Sequence, residues 1–184
     1  MLIEPAPSSN HSPGAARLLV IEPNRSALDV LTKRLGELGY RLIASESADN
    51  AIAEMHRAPV DLVLAELRMP STSGLELTRL IRDDTALKET PVILITGKSD
   101  SAGAVDGFGA GAEDVVAKPF HFEVLAARIA RRIARAKAVK ELRHDNAALD
   151  ARVVTRAIEL GEIRAAFEKS EAERLRLERL VSRG

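Results

Sequence analysis

The sequence predicts an α/β domain with five parallel strands and helices on both faces of the sheet, followed by one long coiled-coil helix. Between residues 17 and 117, short apolar runs alternate five times with amphipathic stretches. This alternation is typical of repeated strand–helix units and therefore of a doubly wound parallel sheet. From residue 136 to residue 182, proline is absent and apolar residues recur at heptad spacing, which predicts a coiled coil.

Each strand is predicted from a short run of residues that suit a buried sheet. The five runs are residues 18–21, 42–44, 60–65, 92–95 and 115–117. The first helix begins after Asn24, a good capping residue, and ends at Gly39. Further helices are expected at residues 48–57 and 74–84, between the last two strands, and from about His121. The apolar face of the first helix is assigned to Leu28, Leu31, Leu35 and Leu38, and that of the third to Leu75, Leu77, Leu80 and Ile81.

Composition excludes several classes of function. The chain has no cysteine, so thiolate metal sites and cysteine nucleophiles are ruled out, and its four histidines are scattered. Lys plus Arg and Asp plus Glu number 27 each, so no global charge favours nucleic acid. Residues 1–16 are rich in Pro, Ser and Asn and lack the features of a secretory signal. We expect a disordered tail there and a cytoplasmic protein without membrane contact.

Four polar side chains follow the predicted strands at their carboxyl ends. Glu22 follows the first strand, Glu66 the third, Thr96 the fourth, and the Lys118-Pro119 pair the fifth. In parallel sheets of this kind, functional sites form at the carboxyl ends of the strands. Two carboxylates, one hydroxyl and one ammonium are therefore expected to meet in a shallow cleft.

These residues lie in segments that resemble the receiver domain of two-component response regulators. Residues 61–74 resemble that family's phosphoacceptor strand and loop, residues 91–96 its hydroxyl-bearing fourth strand, and residues 111–120 its closing Lys-Pro segment. The spacing also fits the family. Glu66 lies 44 residues after Glu22, Thr96 lies 30 after Glu66, and Lys118 lies 22 after Thr96. The resemblance covers residues 17–135. It implies the flavodoxin-like fold of CheY, a role in phosphorelay signalling and a histidine kinase as partner.

The sequence departs from the family at three positions of the phosphorylation site. The family implies an acidic pair that holds Mg²⁺, but here the pair reads Glu22-Pro23. It implies a phosphoacceptor Asp where this chain has Glu66, and an aromatic switch residue where it has Val115. Phosphoryl transfer depends on positioning and on metal neutralisation of charge, so these changes together predict a pseudo-receiver. We expect weak or absent Mg²⁺ binding, no resident metal or cofactor, and no catalytic residues or enzyme activity.

Three interpretations of Glu66 remain open. Its carboxylate pairs with Lys118 in an inactive pocket, or its longer side chain imitates a permanent phosphoryl charge near Thr96 and Lys118, or it is still phosphorylated. For the whole chain, a pseudo-receiver that acts through association is weighed against two rivals. One is a conventional phosphorylation-dependent regulator, and the other is a structural coiled-coil scaffold.

The heptad pattern beyond residue 135 predicts a parallel homodimer. Asn146 at a core position favours a two-stranded parallel register, while Arg156 and Gly161 weaken the middle. Residues 151–160 resemble the signalling helices that join receivers to output domains such as cyclic-di-nucleotide enzymes or histidine kinases. The chain is therefore either part of a longer regulator or acts without an output domain. The apolar seam is assigned to Val139, Leu142, Asn146, Leu149, Val153, Leu160, Ile163, Phe167, Leu177 and Val181.

A basic stretch lies where the two predicted parts join. Arg128, Arg131, Arg132 and Arg135 share one helical face opposite apolar residues. Nucleic-acid contact would need interleaved aromatics or a wider basic surface, and neither is evident. We therefore expect a solvated basic face.

Overall fold

A computed structural model describes residues 16–98 and 100–181, without the side chains of residues 173, 175–177, 180 and 181. The chain divides between Lys137 and Ala138 into two compact units, which are described separately. Most of the predicted N-terminal tail, residues 1–15, lies outside the described residues. Ala16, predicted as the end of that tail, is instead buried, and its carbonyl accepts a hydrogen bond from the Arg41 amide.

The first unit contains the predicted five-stranded parallel sheet. Its strand order is β2-β1-β3-β4-β5, and every neighbouring pair is parallel, which confirms the doubly wound architecture. The strands are β1 (Arg17–Ile21), β2 (Arg41–Ser45), β3 (Leu62–Glu66), β4 (Val92–Thr96) and β5 (Asp114–Ala117). The helices are α1 (Arg25–Glu37), α2 (Ala51–Arg57), α3 (Gly74–Asp83), α4 (Ser101–Gly109) and α5 (Phe122–Val181).

The core explains why the central strands are apolar at nearly every position. Helices pack on both faces of the sheet, so successive side chains of β1, β3 and β4 are buried whichever way they point. One core layer joins the sheet to α1 and to the start of α5, and the other joins it to α2 and α3. The carboxyl ends of all five strands consequently share one edge, which is left to polar residues.

Three details of the helices differ from the predictions. Leu38 is 43% exposed because the helix has ended by that residue, which acts as the C-cap. Leu80 is 47% exposed because the buried face of α3 is formed by its neighbours Leu77 and Ile81. Helix α2 begins at Ala51 rather than residue 48, since Ala48 forms a turn in which its carbonyl accepts from the Ala51 amide.

Replacing Asn24 with Ala should lower the free energy of unfolding by about 1 kcal/mol. The Asn24 side chain accepts a hydrogen bond of 3.0 Å from the Ala27 amide and so caps α1. Asn50 stands at the same position before α2 but makes no capping hydrogen bond through its side chain. Asn50→Ala is therefore the matched control and should change stability little. Urea denaturation of the two variants tests this, and equal losses would contradict it.

The second unit consists of the part of α5 from Ala138 onward, which confirms the long C-terminal helix. Every side chain described between residues 140 and 172 is exposed. These include apolar members of the predicted seam, which are between 54% and 67% exposed: Leu142, Leu149, Val153, Leu160, Ile163 and Phe167. The side chains of Leu177 and Val181 lie outside the described residues. Within the described part of the chain, no helix is both long and apolar enough to traverse a bilayer.

Candidate functional site

Three of the polar residues at the carboxyl ends of the strands meet in one ionic cluster. The Nζ atom of Lys118 lies 2.6 Å from Glu22 Oε2 and 2.7 Å from Glu66 Oε2. Glu22 directly follows β1, Glu66 is the last residue of β3, and Lys118 directly follows β5. The parallel register brings these three ends together even though Lys118 and Glu22 are 96 residues apart in sequence. We call this arrangement the lysine bridge.

The lysine bridge is largely withdrawn from water. The Glu22 and Glu66 side chains are only 4% and 13% exposed, while that of Lys118 is 37% exposed. Partial burial lowers the pKa of Lys118, but hydrogen bonds and charge attraction from both carboxylates outweigh it, so the pKa lies above its ordinary value. Lys118 is therefore a stable cation that offsets part of the charge of two carboxylates which would be costly to bury alone.

The residues around the lysine bridge do not fit the Mg²⁺ site that the family resemblance implies. Glu22 uses Oε1 to accept from the Asn24 amide at 3.0 Å and Oε2 to accept from Lys118. Pro23 has no side-chain oxygen to offer. Among residues 16–98 and 100–181, no group of three or more acidic, histidine or cysteine side chains is placed to hold a metal ion. A cation is already present between the carboxylates, namely the ammonium group of Lys118.

Thr96 is the fourth predicted site residue, and its hydroxyl serves a different partner. Thr96 is buried at the end of β4, and its Oγ1 donates to Asp100 Oδ2 at 3.2 Å. Asp100 caps α4 by accepting from the Gly103 amide at 2.9 Å, and it also accepts from Arg68 Nε at 2.8 Å. The hydroxyl is thus directed to the start of α4. Asp100 was not predicted as a site residue, although a carboxylate immediately before a helix is a capping signal.

Replacing Asp100 with Asn should remove part of the acid sensitivity of the fold. Hydrogen bonds from Arg68 and the Gly103 amide hold the pKa of Asp100 at about 2, below its ordinary value of 3.8. The stabilisation from a carboxylate with a depressed pKa is present above the unfolded value and lost as pH falls towards the folded value. The stability difference between wild type and Asp100→Asn should therefore shrink between about pH 4 and pH 2. Urea midpoints at pH 6 and pH 2.5 measure it, and a constant difference would contradict the assignment.

Val115 and Pro119 surround the site without adding polar atoms to it. Val115, where the family implies an aromatic ring, is partly buried and packs with the second core layer. The Val115 side chain is closely packed against Gly107 of α4, because a Cβ atom at position 107 would lie only 3.0 Å from Val115 Cγ2. Pro119 is exposed and follows Lys118 through a cis peptide bond. Neither side chain is aromatic, so neither could report a phosphoryl charge by moving a ring.

Two ionic clusters outside the site were not predicted. Asp114 is 5% exposed and accepts hydrogen bonds from Arg128 at 2.9 Å and Arg132 at 3.2 Å. These two arginines are therefore not simply part of a solvated basic face, because they compensate a buried carboxylate on β5. The Nη2 atom of Arg82 donates to both carboxylate oxygens of Glu113, at 2.8 and 2.7 Å. Glu113 and Asp114 directly precede the apolar run of β5. Carboxylates at the start of a buried strand need compensating partners, and this is the signal that could have indicated both clusters.

Comparisons with known proteins agree with the fold. Residues 18–130 match the family model described as the response regulator receiver domain. The chain is 35% identical over 120 residues to the transcriptional regulatory protein ResD of Bacillus subtilis, covering 65% of this chain and 49% of ResD. It is 36% identical over 113 residues to the two-component response regulator PhoP of Pseudomonas aeruginosa, covering 61% of this chain and 49% of PhoP. The chain thus spans about half the length of these relatives.

A solved structure supports the same relationship. The signal receiver domain of a signal transduction histidine kinase from Syntrophus aciditrophicus superposes with a TM-score of 0.61 at 28% sequence identity. The superposition covers 65% of this chain and 90% of that domain. The residues matched by the family model, 18–130, lie in the unit that carries the lysine bridge.

Proposed function

This chain belongs to the response regulator receiver family, and we propose that it is an atypical receiver of two-component signalling. In this proposal it acts in the cytoplasm through protein association, with little or no phosphorylation of its own. The observation that carries the proposal is the lysine bridge. The Lys118 ammonium already pairs with both Glu22 and Glu66, the two carboxylates on which phosphoryl chemistry would depend.

The lysine bridge opposes phosphorylation in two ways. Glu66 Oε2 is engaged by Lys118, and its side chain is one methylene longer than that of Asp, so the carboxylate is displaced from the position that an aspartate would take. A displacement of about 1 Å can cost a hundredfold in rate. In addition, the acidic pair that would hold a metal ion is missing. Pro23 has no side-chain oxygen, and both oxygens of Glu22 already accept hydrogen bonds, from the Asn24 amide and from Lys118. Without that metal ion, the charge of the transferring phosphoryl group is not neutralised.

The geometry also favours one interpretation of Glu66 over the others. Glu66 pairs with Lys118, whereas Thr96 donates its hydroxyl to Asp100. A permanent phosphoryl mimic would be expected to engage the hydroxyl as well as the ammonium. We therefore propose a structural ion pair, which holds the carboxyl edge of the sheet in a single state.

A second candidate function is a conventional, phosphorylation-dependent regulator with an output domain. The relatives favour it, since they are named as regulatory proteins and are about twice as long as the matched region. This candidate requires phosphoryl transfer from a histidine kinase. Direct phosphorylation of the chain therefore decides between the two candidates.

Association of the chain is proposed to occur through the seam of the second unit. A stripe of large apolar side chains that are more than half exposed is unusual on a solitary helix in water. Pairing in parallel would bury the stripe and would place the polar Asn146 of two copies side by side. The proposed partners are thus a second copy of the chain and a signalling protein such as a histidine kinase.

Replacing Leu149 and Leu160 together with Glu should lower the assembled mass of the full chain. The two leucines are 54% and 66% exposed in the single helix, and Glu at both would place like charges in the seam. The control is Val30→Glu with Leu80→Glu, which makes the same kind of change at two exposed apolar positions of the first unit. Sedimentation equilibrium measures the mass. An unchanged mass in the Leu149→Glu, Leu160→Glu variant would contradict association through this seam.

A further inference from the structure

A second apolar stripe runs along the second unit on a face nearly opposite to the predicted seam. Its two largest members, Val154 and Ile158, are 60% and 58% exposed. At 3.6 residues per turn, all six members fall within an arc of about 80°. They are Ala147, Ala151, Val154, Ile158, Gly161 and Ala165.

A parallel two-stranded coiled coil built on the seam would leave this second stripe in water. Relative to the seam, the stripe occupies the outward positions of the heptad, which are polar in an ordinary two-stranded coil. Pairing through the stripe instead would expose the seam. One contact per helix therefore cannot bury both apolar surfaces. We propose that the second stripe binds the same stripe of a second copy of the chain in antiparallel orientation.

The antiparallel orientation brings the largest side chains of the stripe together. With two helices crossing head to tail about Arg156, Val154 faces Ile158 of the other copy, so the two largest residues meet at the centre. On either side of the centre, Ala151 faces Gly161, and at the outer layers Ala147 faces Ala165. The largest apolar side chains of the two copies therefore bury each other at the centre, and the small side chains of the outer layers put no bulk between the helices.

The charges that flank the stripe are complementary in the same register. In an antiparallel coil, residues on one flank of the first helix face residues on the equivalent flank of the second. Three pairs of charged residues then face each other, each occurs twice by symmetry, and each joins opposite charges. They are Asp150 with Arg164, Arg143 with Glu171, and Glu141 with Lys169.

Neighbouring registers lose this complementarity. Sliding one copy by a heptad in one direction places Arg143 against Arg164, and sliding it in the other direction places Asp150 against Glu171. Like charges that face each other across an interface are unfavourable and help to fix its register. Arg164 also pairs with Glu168 of its own helix at 3.1 Å, but an exposed pair of this kind is weak and can be shared.

The inference concerns the second unit alone and does not depend on the chemistry of the lysine bridge. Combined with the parallel seam it gives an assembly of more than two chains, because each helix then has one partner through the seam and another, on a nearly opposite face, through the stripe. Without the seam, the stripe by itself gives an antiparallel dimer. Removing the stripe therefore leaves a seam dimer in the first case and a single chain in the second, and the assembled mass falls at least twofold in both.

Sedimentation equilibrium of the full chain tests the surface. Val154→Glu with Ile158→Glu should lower the mass of wild type at least twofold, while Val30→Glu with Leu80→Glu should leave it unchanged. If the Leu149→Glu, Leu160→Glu variant keeps the mass of wild type and the stripe variant still halves it, the stripe stands and the proposed seam fails. A stripe variant with the mass of wild type would overturn the inference.

Charge reversal tests the register. Asp150→Arg alone and Arg164→Asp alone each create two like-charge contacts in the antiparallel pair, and each should raise its dissociation constant roughly tenfold. The double reversal restores opposite charges and should return the constant to near the wild-type value. A double variant that is as weak as the single variants would overturn the register.

Orientation can be tested by disulfide formation because the chain has no cysteine of its own. Val154→Cys alone and Ile158→Cys alone should not cross-link under mild oxidation, whereas an equimolar mixture of the two should. Each variant cross-linking with itself would indicate a parallel stripe and would overturn the antiparallel arrangement.

Discussion

Acetyl phosphate with Mg²⁺ should leave the wild-type chain unmodified, while a Pro23→Asp, Glu66→Asp double variant should gain one phosphoryl group. The first change restores a carboxylate beside Glu22, and the second returns the nucleophile to the length of aspartate. With a metal ligand available, the divalent ion can compete with the Lys118 ammonium for the carboxylates of the lysine bridge. Intact-mass spectrometry of the full chain after incubation measures the outcome.

A third protein separates the nucleophile from the metal site. Pro23→Asp with Glu66→Asn restores the ligand but removes the carboxylate at the end of β3, so it should remain unmodified even when the repaired variant is phosphorylated. Phosphorylation of the wild type under these conditions would contradict the atypical-receiver proposal. It would favour the conventional regulator, with Glu66 or a neighbouring carboxylate as acceptor.

Replacing Lys118 with Met should destabilise the first unit by about 2–3 kcal/mol. Removing one partner of a fully buried ion pair costs about 3–5 kcal/mol, since the remaining charge is left without compensation. The expected loss lies below this range because Lys118 is 37% exposed, so water screens part of its charge. It remains large because the carboxylates of Glu22 and Glu66 are nearly buried. Met fills a similar volume, so the loss reports the missing charge more than a cavity. Urea denaturation at neutral pH measures it.

A charge-free triple variant is the control for this prediction. Glu22→Gln and Glu66→Gln, added to Lys118→Met, remove both uncompensated charges and should recover much of the lost stability. Amide groups can still accept hydrogen bonds, so the Asn24 amide keeps a partner at position 22. If Lys118→Met is as stable as wild type, Lys118 does not serve as the compensating cation of this edge of the sheet.

The sequence by itself determined the order of the elements and the type of fold. Strand β4 reads as an unbroken apolar run because both faces of a central parallel strand are covered by helices. The cap at Asn24 and the buried positions Leu28, Leu31 and Leu35 were equally predictable, since capping and helical periodicity depend on residues a few positions apart. The approximate location of the site followed from the same local patterns, because parallel strands bring their carboxyl ends to one edge.

Only the tertiary structure decided which polar groups pair at that edge. Lys118 contacts both Glu22 and Glu66, whereas the Thr96 hydroxyl is held by Asp100, and no local pattern distinguishes these partners. The pairing of Arg128 with buried Asp114 likewise depends on how α5 packs beside β5. Hydrogen bonds and ion pairs between distant segments require distances within a few tenths of an ångström, which only the packed sheet and helices define. Periodicity in the chain specifies which face is buried, and packing specifies which charges meet.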